Sequence, residues 1–366
     1  MKIAYLNTSF KEDSISGGST HIREFINEVT AAGHTIYTGQ YNHHPDVIQM
    51  NDSFIIPRLR TILNCDVVYT RYEGKMTKSM RLSNFPLRKL TQHAINIWEF
   101  NALPIYAITK GKDEKEVQRQ NKLLRSESET SDLAICVSKT MAEYVDDILH
   151  WKKVLVVPNG SNPDHFKPGL PYPERMSYFK EYFNVVWAGS LSLEWSHIDL
   201  LVNTAKSIWN AGNTKICFHL VGSFPMALSQ RISPNVFLYG NQPYNKLPNW
   251  LSAMDVGLIL YENKQNDYGS PIKFFDYMAN SLGVISTQQP QVKEILGEIG
   301  FSDFVLQTDN PGELAEKILL LFEDEDLLKN YKKRTRELVI QKYNWKNSIV
   351  KILKEIEFLI NERNDK

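Results

Sequence analysis

Short apolar runs alternate along the chain with stretches whose apolar residues recur every three to four positions. Lys2–Leu6 (KIAYL) opens the series as a buried strand. Behind it, Ile22, Phe25, Ile26 and Val29 fall at i, i+3, i+4 and i+7, which is one face of a helix, and Gly33 is placed to stop it. Further runs predict strands at residues 66–69 (DVVY), 95–99 (INIWE), 133–137 (LAICV) and 154–157 (VLVV), the last closed by the turn signal Pro158-Asn159-Gly160. The proline- and glycine-punctuated stretch Pro168-Gly169-Leu170-Pro171-Tyr172-Pro173 reads as a linker. The alternation then restarts at residues 185–188 (VVWA), 216–221 (ICFHLV), 236–239 (VFLY), 256–260 (VGLIL) and 283–286 (GVIS).

Continuous apolar strands separated by helical segments predict parallel sheets covered on both faces. The expected fold class is therefore α/β, with two Rossmann-like domains whose parallel sheets face a central cleft. The predicted boundaries are residues 1–168 for the first domain, 169–182 for the linker, 183–345 for the second domain and 346–366 for a charged helix packing back on the first.

Composition narrows the functional classes. The 366 residues carry 42 Lys+Arg against 42 Asp+Glu, without the basic surplus of a nucleic-acid binder. Apolar residues make up 42% and aromatics 11%, enough to exclude wholesale disorder. Cys65, Cys136 and Cys217 are too widely spaced for a disulfide framework or a zinc site, which suggests buried thiols in a reducing compartment. The opening MKIAYLNTSFKEDS is not a signal peptide, and no run approaches the ~20 apolar residues of a membrane span. His43-His44 lies in a polar loop and no HxxxH or HExxH spacing occurs, so no metal site is expected. These features predict a cytoplasmic protein.

In open parallel sheets ligands bind outside the carboxyl ends of the strands, so candidate chemistry is sought in the strand-to-helix loops. Gly17 and Gly18, in SGGST, suit close approach of backbone to an anion at a helix start, or a plain turn. The spacing is not GxGxxG. In the segment from Tyr268 to Ala279, Ser270 is a good N-cap and Pro271 suits the first helical position. Lys273 and Asp276 then share a helix face, either as an ion pair or as a phosphate contact and a ribose contact. Arg71-Tyr72-Glu73 and Glu99-Phe100-Asn101 follow predicted strands, where they would hold substrate hydroxyls or form solvated loops. Residues 75–92 carry Lys75, Lys78, Arg81, Arg88 and Lys89 with no acid and interleaved apolar residues, which fits an anionic membrane surface, an anionic acceptor or a solvated face.

The ordered set of SGGSTHIREFINEVTAAGHTI, VVYTRYEGK, NIWEFNALP, SDLAICVSKTMAEYV, VLVVPNGSNPDHFKP, VVWAGSLSLEWSHIDLL, FHLVGSFP, VFLYGNQPYNKLPNWLSAMDVGLI and SPIKFFDYMANSLGVIST resembles the GT-B glycosyltransferases, specifically the retaining family 4 (glycosyltransferase group 1). The likeness runs over nearly the whole chain. It implies sugar transfer with retention, without a metal or other cofactor, from a UDP- or GDP-sugar to a glycan, lipid-linked or other hydroxyl acceptor. A role in making a surface glycan or glycolipid follows from the same likeness, with residues 75–92 as a peripheral contact to the inner membrane face. A nucleotide-sugar epimerase and a catalytically weak sugar-nucleotide-binding protein are the alternatives.

The resemblance also implies residue roles. Of the family's two glutamates eight positions apart, the second falls on Asp276 and the first on Tyr268. The Arg and Lys that commonly face the diphosphate fall on Ser190 and Ser196 (or His197). Donor contacts are implied at Ser190, Gly222, Asn241, Gly269, Ser270, Pro271, Ile272, Lys273 and Asp276, and acceptor or phosphate-loop contacts at Gly17, Gly18, Arg71 and Asn101. Asp276, Lys273 and Glu99 are the implied catalytic residues.

Overall fold

The computed structural model describes residues 1–6, 17–39, 47–49, 60–74, 76, 93–105, 114–191, 196–262 and 267–365. Apart from Met76, the basic segment 75–92 lies outside the described residues, as do Ser16 and His43-His44. Seven strands form one all-parallel sheet: β1 (Lys2–Leu6), β2 (Thr35–Thr38), β3 (Val47–Gln49), β4 (Val67–Glu73), β5 (Ile95–Ala102), β6 (Leu133–Cys136) and β7 (Val154–Val156), in the order β3-β2-β1-β4-β5-β6-β7. The helices α1 (Gly17–Ala31), α2 (Glu114–Ser128) and α3 (Lys139–Asp147) belong with it. The second parallel sheet comprises β8 (Phe183–Ala188), β9 (Ile216–Val221), β10 (Val236–Gly240), β11 (Val256–Ile259) and β12 (Gly283–Ser286), ordered β10-β9-β8-β11-β12. It is accompanied by α4 (Ile198–Asn210), α5 (Leu247–Leu251), α6 (Ile272–Ala279), α7 (Pro290–Gly297), α8 (Pro311–Glu323) and α9 (Glu325–Gln341), and α10 (Trp345–Asn364) ends the chain.

Two compact units result. One comprises Met1–Asn159, Tyr268–Ser270 and Trp345–Lys366, and the other Gly160–Asp267 and Pro271–Asn344. In each, the winding reverses beside the first strand, between β1 and β4 and between β8 and β11. Such a switch point splays the flanking loops apart and leaves a crevice at the carboxyl ends of those strands.

The cores explain why these runs become buried strands. All six residues of β8 (FNVVWA) are buried, as a central strand covered on both faces requires. On α10, Ile349, Ile352, Leu353, Ile356 and Leu359 recur at helical spacing and pack with Ile3, Ile26 and Ile97 in the core of the first unit. Burying each such side chain contributes roughly 1.5–3 kcal/mol, which anchors the carboxyl-terminal helix there.

Two expectations need correction, and two strands are found where none is expected. The chain divides between Asn159 and Gly160, and the stretch read as a linker at 169–182 is part of the second unit. Glu174–Phe179 forms a 3-10 turn that buries Met176 and Phe179 in that unit's core beside Phe166. Proline and glycine prevent regular pairing there, but they do not keep Met and Phe out of a core. No strand is expected at β2 or β3, because TIYT and VIQ mix polar with apolar residues and lack a continuous apolar run. Finally, β4 and β5 run on through Glu73 and Ala102, so Arg71 and Glu99 lie inside paired strands in register with each other. With Arg71 at 3% and Glu99 at 1% exposure, the solvated-loop alternative is excluded.

Candidate functional site

In the carboxyl-terminal unit, β8 ends at Ala188 and the chain turns through Gly189, whose φ is +126°. After β9, Gly222 has φ +145°, and a Cβ there would lie 1.9 Å from the Gly189 carbonyl oxygen. Only glycine permits that approach. It lets the two loops lie back to back, with the Ser223 hydroxyl donating to Ser190 Oγ at 2.7 Å and the Ser196 hydroxyl donating to the Ser190 carbonyl at 3.0 Å. Ser190 and Gly222 thus stand together at the carboxyl ends of adjacent strands, and Asn241 is exposed just beyond β10.

Helix α6 starts at Ile272 with Pro271 as its N-cap residue and no side-chain cap. Ser270 is not the cap that the sequence suggested. Its hydroxyl instead accepts the Asn159 N–H at 3.1 Å, and its carbonyl accepts Asn159 Nδ2 at 2.6 Å. The uncapped first-turn N–H groups and the helix dipole favour an anion.

Lys273 and Asp276 are three residues apart on α6 but are not an ion pair. Lys273 Nζ sits 3.7 Å from the centroid of the fully buried Trp187 ring and 5.3 Å from that of Tyr261. A Cβ on Gly189 would come within 3.3 Å of the amine, which brings the amine to the turn after β8. Burial pulls this amine down to about 7. The indole face favours the charged form, and among the described residues no carboxylate compensates it. An arriving anion would strengthen that charge. Asp276 is 4% exposed and accepts the Ser161 hydroxyl at 2.6 Å. A carboxylate offers about four lone-pair positions, so this bond leaves acceptor capacity.

In the amino-terminal unit, Gly17 and Gly18 are the first residues of α1. The same helix delivers His21 to Glu99 on β5, with His21 Nε2 2.6 Å from Glu99 Oε1. Arg71 on β4 donates from Nη1 to Glu99 Oε2 at 3.0 Å and from Nε to Glu73 at 2.9 Å. The Tyr5 and Tyr69 hydroxyls donate to Glu99 at 3.4 and 3.3 Å. Burial works to raise the Glu99 carboxyl, but the charges and hydrogen bonds of His21 and Arg71 outweigh it and hold it down at about 2. Asn101 falls at a register shift between β4 and β5, and its Nδ2 is buried without a hydrogen-bond partner. Bulges of this kind often re-aim a side chain beside a ligand site.

Sequence reading missed His21 and Asn159, because histidines were weighed only for metal spacing and Asn159 only as a turn residue. The available signal was a histidine in the second turn of a helix opened by paired glycines, where an inward face can carry polar groups. Tyr268 packs against the aromatic cluster of the first unit, 6.0 Å edge-on to Tyr144, and its carbonyl accepts the Ser138 hydroxyl at 2.7 Å. Gly269 and Ser270 group with that unit as well. Among the described residues no cluster of three His, Cys, Asp or Glu is placed to hold a metal, the three cysteines are free and buried, and no helix is long and apolar enough to cross a membrane.

Two glycine-lined strand ends with a buried lysine on an indole ring in one unit, and an ionic cluster in the paired strands of the other, call for comparison with known proteins. Residues 182–324 match the family described as Glycosyl transferases group 1. An uncharacterized glycosyltransferase of Methanocaldococcus jannaschii is 23% identical over 236 residues, which is 63% of this chain and 60% of that protein's length. Sucrose-phosphate synthase from Thermosynechococcus elongatus superposes with a TM-score of 0.71 at 15% identity, covering 99% of both chains. HepE of Anabaena, solved with UDP and glucose, gives 0.71 at 14% identity over 98% of this chain and 99% of its own. WaaG, a glycosyltransferase involved in lipopolysaccharide biosynthesis, gives 0.64 at 11% identity over 98% and 99%. At such identities the likeness establishes the fold, two parallel-sheet α/β domains of the GT-B type.

Proposed function

We propose that the protein is a metal-independent, retaining glycosyltransferase that moves a hexose from a nucleotide-diphosphate sugar to a hydroxyl on a glycan or lipid-linked acceptor. The observation that carries this reading is Lys273, an amine held on the Trp187 ring beside the Gly189 turn with no carboxylate partner among the described residues. The match of residues 182–324 to the group 1 glycosyl transferases supports it independently.

In this reading the diphosphate lies against Lys273, the first-turn amides of α6 and the Gly189–Ser190 and Gly222 turns. Gly269, Ser270, Pro271, Ile272 and Asn241 contribute further donor contacts, and Asp276 accepts from the ribose. As the glycosidic bond to phosphate breaks, negative charge grows on the leaving diphosphate. Lys273 and the amides meet that charge, and one well-placed donor in such a role is worth ~2.7–4 kcal/mol. The acceptor hydroxyl belongs to the amino-terminal unit, near Gly17, Gly18, Arg71, Glu99 and Asn101. Retention is assigned without an enzyme nucleophile. The same reading makes the protein cytoplasmic, in surface-glycan synthesis, with residues 75–92 touching the inner membrane face.

Calorimetric titration with UDP, GDP, ADP and their common sugar conjugates tests the proposal. HepE was solved with UDP and glucose, which makes UDP-sugars the first donors to try. Binding of one diphosphate with preference among its sugars is the expected result. Absence of binding across the panel, with and without candidate acceptors, would overturn the reading.

A further inference from the structure

A continuous hydrogen-bonded chain runs from the sheet of the amino-terminal unit to Ser270. It starts at Glu73, passes through Arg71 to Glu99, and continues through His21 to Asn159, with Asn159 Oδ1 2.8 Å from His21 Nδ1. It ends in two bonds from Asn159 to Ser270, Nδ2 to the carbonyl at 2.6 Å and N–H to Oγ at 3.1 Å. His21, Glu99, Arg71 and Asn159 are all buried.

The bonding pattern leaves one assignment of donors. The Asn159 amide nitrogen faces the Ser270 carbonyl, so its oxygen faces His21 Nδ1. The other ring nitrogen faces the ionised Glu99. The amide oxygen only accepts, so the His21 ring donates from Nδ1 to Asn159. Every charged or titratable group around the ring fits this. Glu99 lies on β5, Arg71, Glu73 and Tyr69 on β4, and Tyr5 on β1, while Trp345 of α10 meets the ring edge-on at 5.2 Å. Arg71 stands between the buried Glu99 and the exposed Glu73, which balances the charge of the buried guanidinium.

We propose that His21 and Asn159 are positioning residues that fix the backbone of Tyr268–Ser270, the segment leading directly into α6 with its Lys273 and Asp276. The proton at His21 Nδ1 is what makes the arrangement directional. If Nδ1 carried no proton, Asn159 would have to turn its amide to donate to it, and Nδ2 would leave the Ser270 carbonyl. Ser138 anchors the opposite end of the segment through the Tyr268 carbonyl, so the three residues are held at both ends. The consequence for donor binding rests on the function proposed above, whereas the positioning itself does not.

Three measurements on the full chain test this, two of them without nucleotide. In protein labelled with ring-15N histidine, one ring should hold a slowly exchanging proton on Nδ1, and His21→Gln should remove that signal. Hydrogen exchange followed by mass spectrometry should show peptides spanning 268–275 exchanging about tenfold faster in Asn159→Asp, which still accepts from His21 but turns an acceptor toward the Ser270 carbonyl. Peptides from β8 and β9 should be unchanged. His21→Gln gives the same exchange test from the other end of the chain should Asn159→Asp not fold. The third measurement is UDP titration, where Asn159→Asp should bind about tenfold more weakly than the parent, the scale of a hydrogen bond lost at ~1.4 kcal/mol. A His21 ring without a proton on Nδ1, or parental exchange at 268–275 in both variants, overturns the positioning role. If these peptides respond while the parent binds no nucleotide in the panel, the positioning stands and the donor reading fails.

Discussion

The two candidate regions deal with buried charge in opposite ways. Around Glu99, two carboxylates, a guanidinium and an imidazole satisfy one another at distances of 2.6–3.0 Å inside the first unit. Around Lys273, a single amine rests on an indole ring with no described carboxylate to balance it. A cluster that is complete on its own holds structure in place and gains nothing from an added ion. A cation left incomplete has room, in the proposed reading, for an anion that completes it. One switch point therefore reads as a framework and the other as a receptor, although both sit at the same place in the same kind of sheet.

Glu99→Gln breaks the first side of this comparison and should have the largest effect. It leaves Arg71 and His21 buried with one carboxylate fewer, and removing one partner from a buried ionic group costs ~3–5 kcal/mol. Urea unfolding at neutral pH should show the loss, and a parental midpoint would mean that the cluster is not what holds these strands. The acid limb is a second signature. Glu99 is held near 2 in the folded state, below its ordinary value, so its stabilisation is complete above the usual carboxylate range. It is lost as the pH falls toward 2, because there the unfolded chain takes up a proton that the folded one refuses. The variant should lose that part of the slope.

How much of this was legible beforehand follows from what a periodic pattern can carry. The other ten strands and the helix face of Ile22, Phe25, Ile26 and Val29 are readable, because burial on both faces forces continuous apolar runs and a helix repeats at 3.6. Lys273 was readable as a phosphate candidate from its place near a helix start, but its aromatic seat was not. Trp187 and Tyr261 are 86 and 12 residues away in sequence, and only the order of the strands brings them together. The Glu99 cluster was half legible. Arg71 and Glu99 were singled out, yet no local rule links them to His21 or Asn159, which arrive from α1 and the end of β7. The linker was misplaced because punctuation by proline was taken as absence of a core.

Lys273→Met sharpens the other side. If the amine is a receptor, affinity for the nucleoside diphosphate falls by ~1.5–3 kcal/mol, the scale of charged hydrogen bonds, with no loss of stability in the free protein at neutral pH. Stability without ligand even has a predicted sign. Burial lowers this amine from its ordinary value to about 7, so between about 7 and the ordinary lysine range the unfolded chain binds the extra proton. The parent should therefore gain stability as the pH rises through that window, and Lys273→Met should lack the gain. Loss of fold with unchanged nucleotide affinity would reverse the assignment and make Lys273 part of the framework.

The smallest expected effect distinguishes within the receptor itself. Asp276 is buried and already accepts the Ser161 hydroxyl at 2.6 Å, so its carboxylate serves the fold and, in the proposed reading, a ribose at once. Asp276→Asn keeps one acceptor oxygen for Ser161 and removes the charge and the second oxygen, which predicts a loss of ~1 kcal/mol in ribonucleotide affinity, the net value of a typical hydrogen bond. The 2′-deoxy nucleotide should lose less, because it lacks one of the two hydroxyls that the carboxylate would hold. Ser161→Ala separates the two duties, since it removes that one bond without altering the carboxylate's charge and should leave the ribose preference intact. Equal losses for the ribo and deoxy forms in Asp276→Asn would take Asp276 out of the ribose contact, and the receptor would then consist of Lys273, the glycine turns and the start of α6.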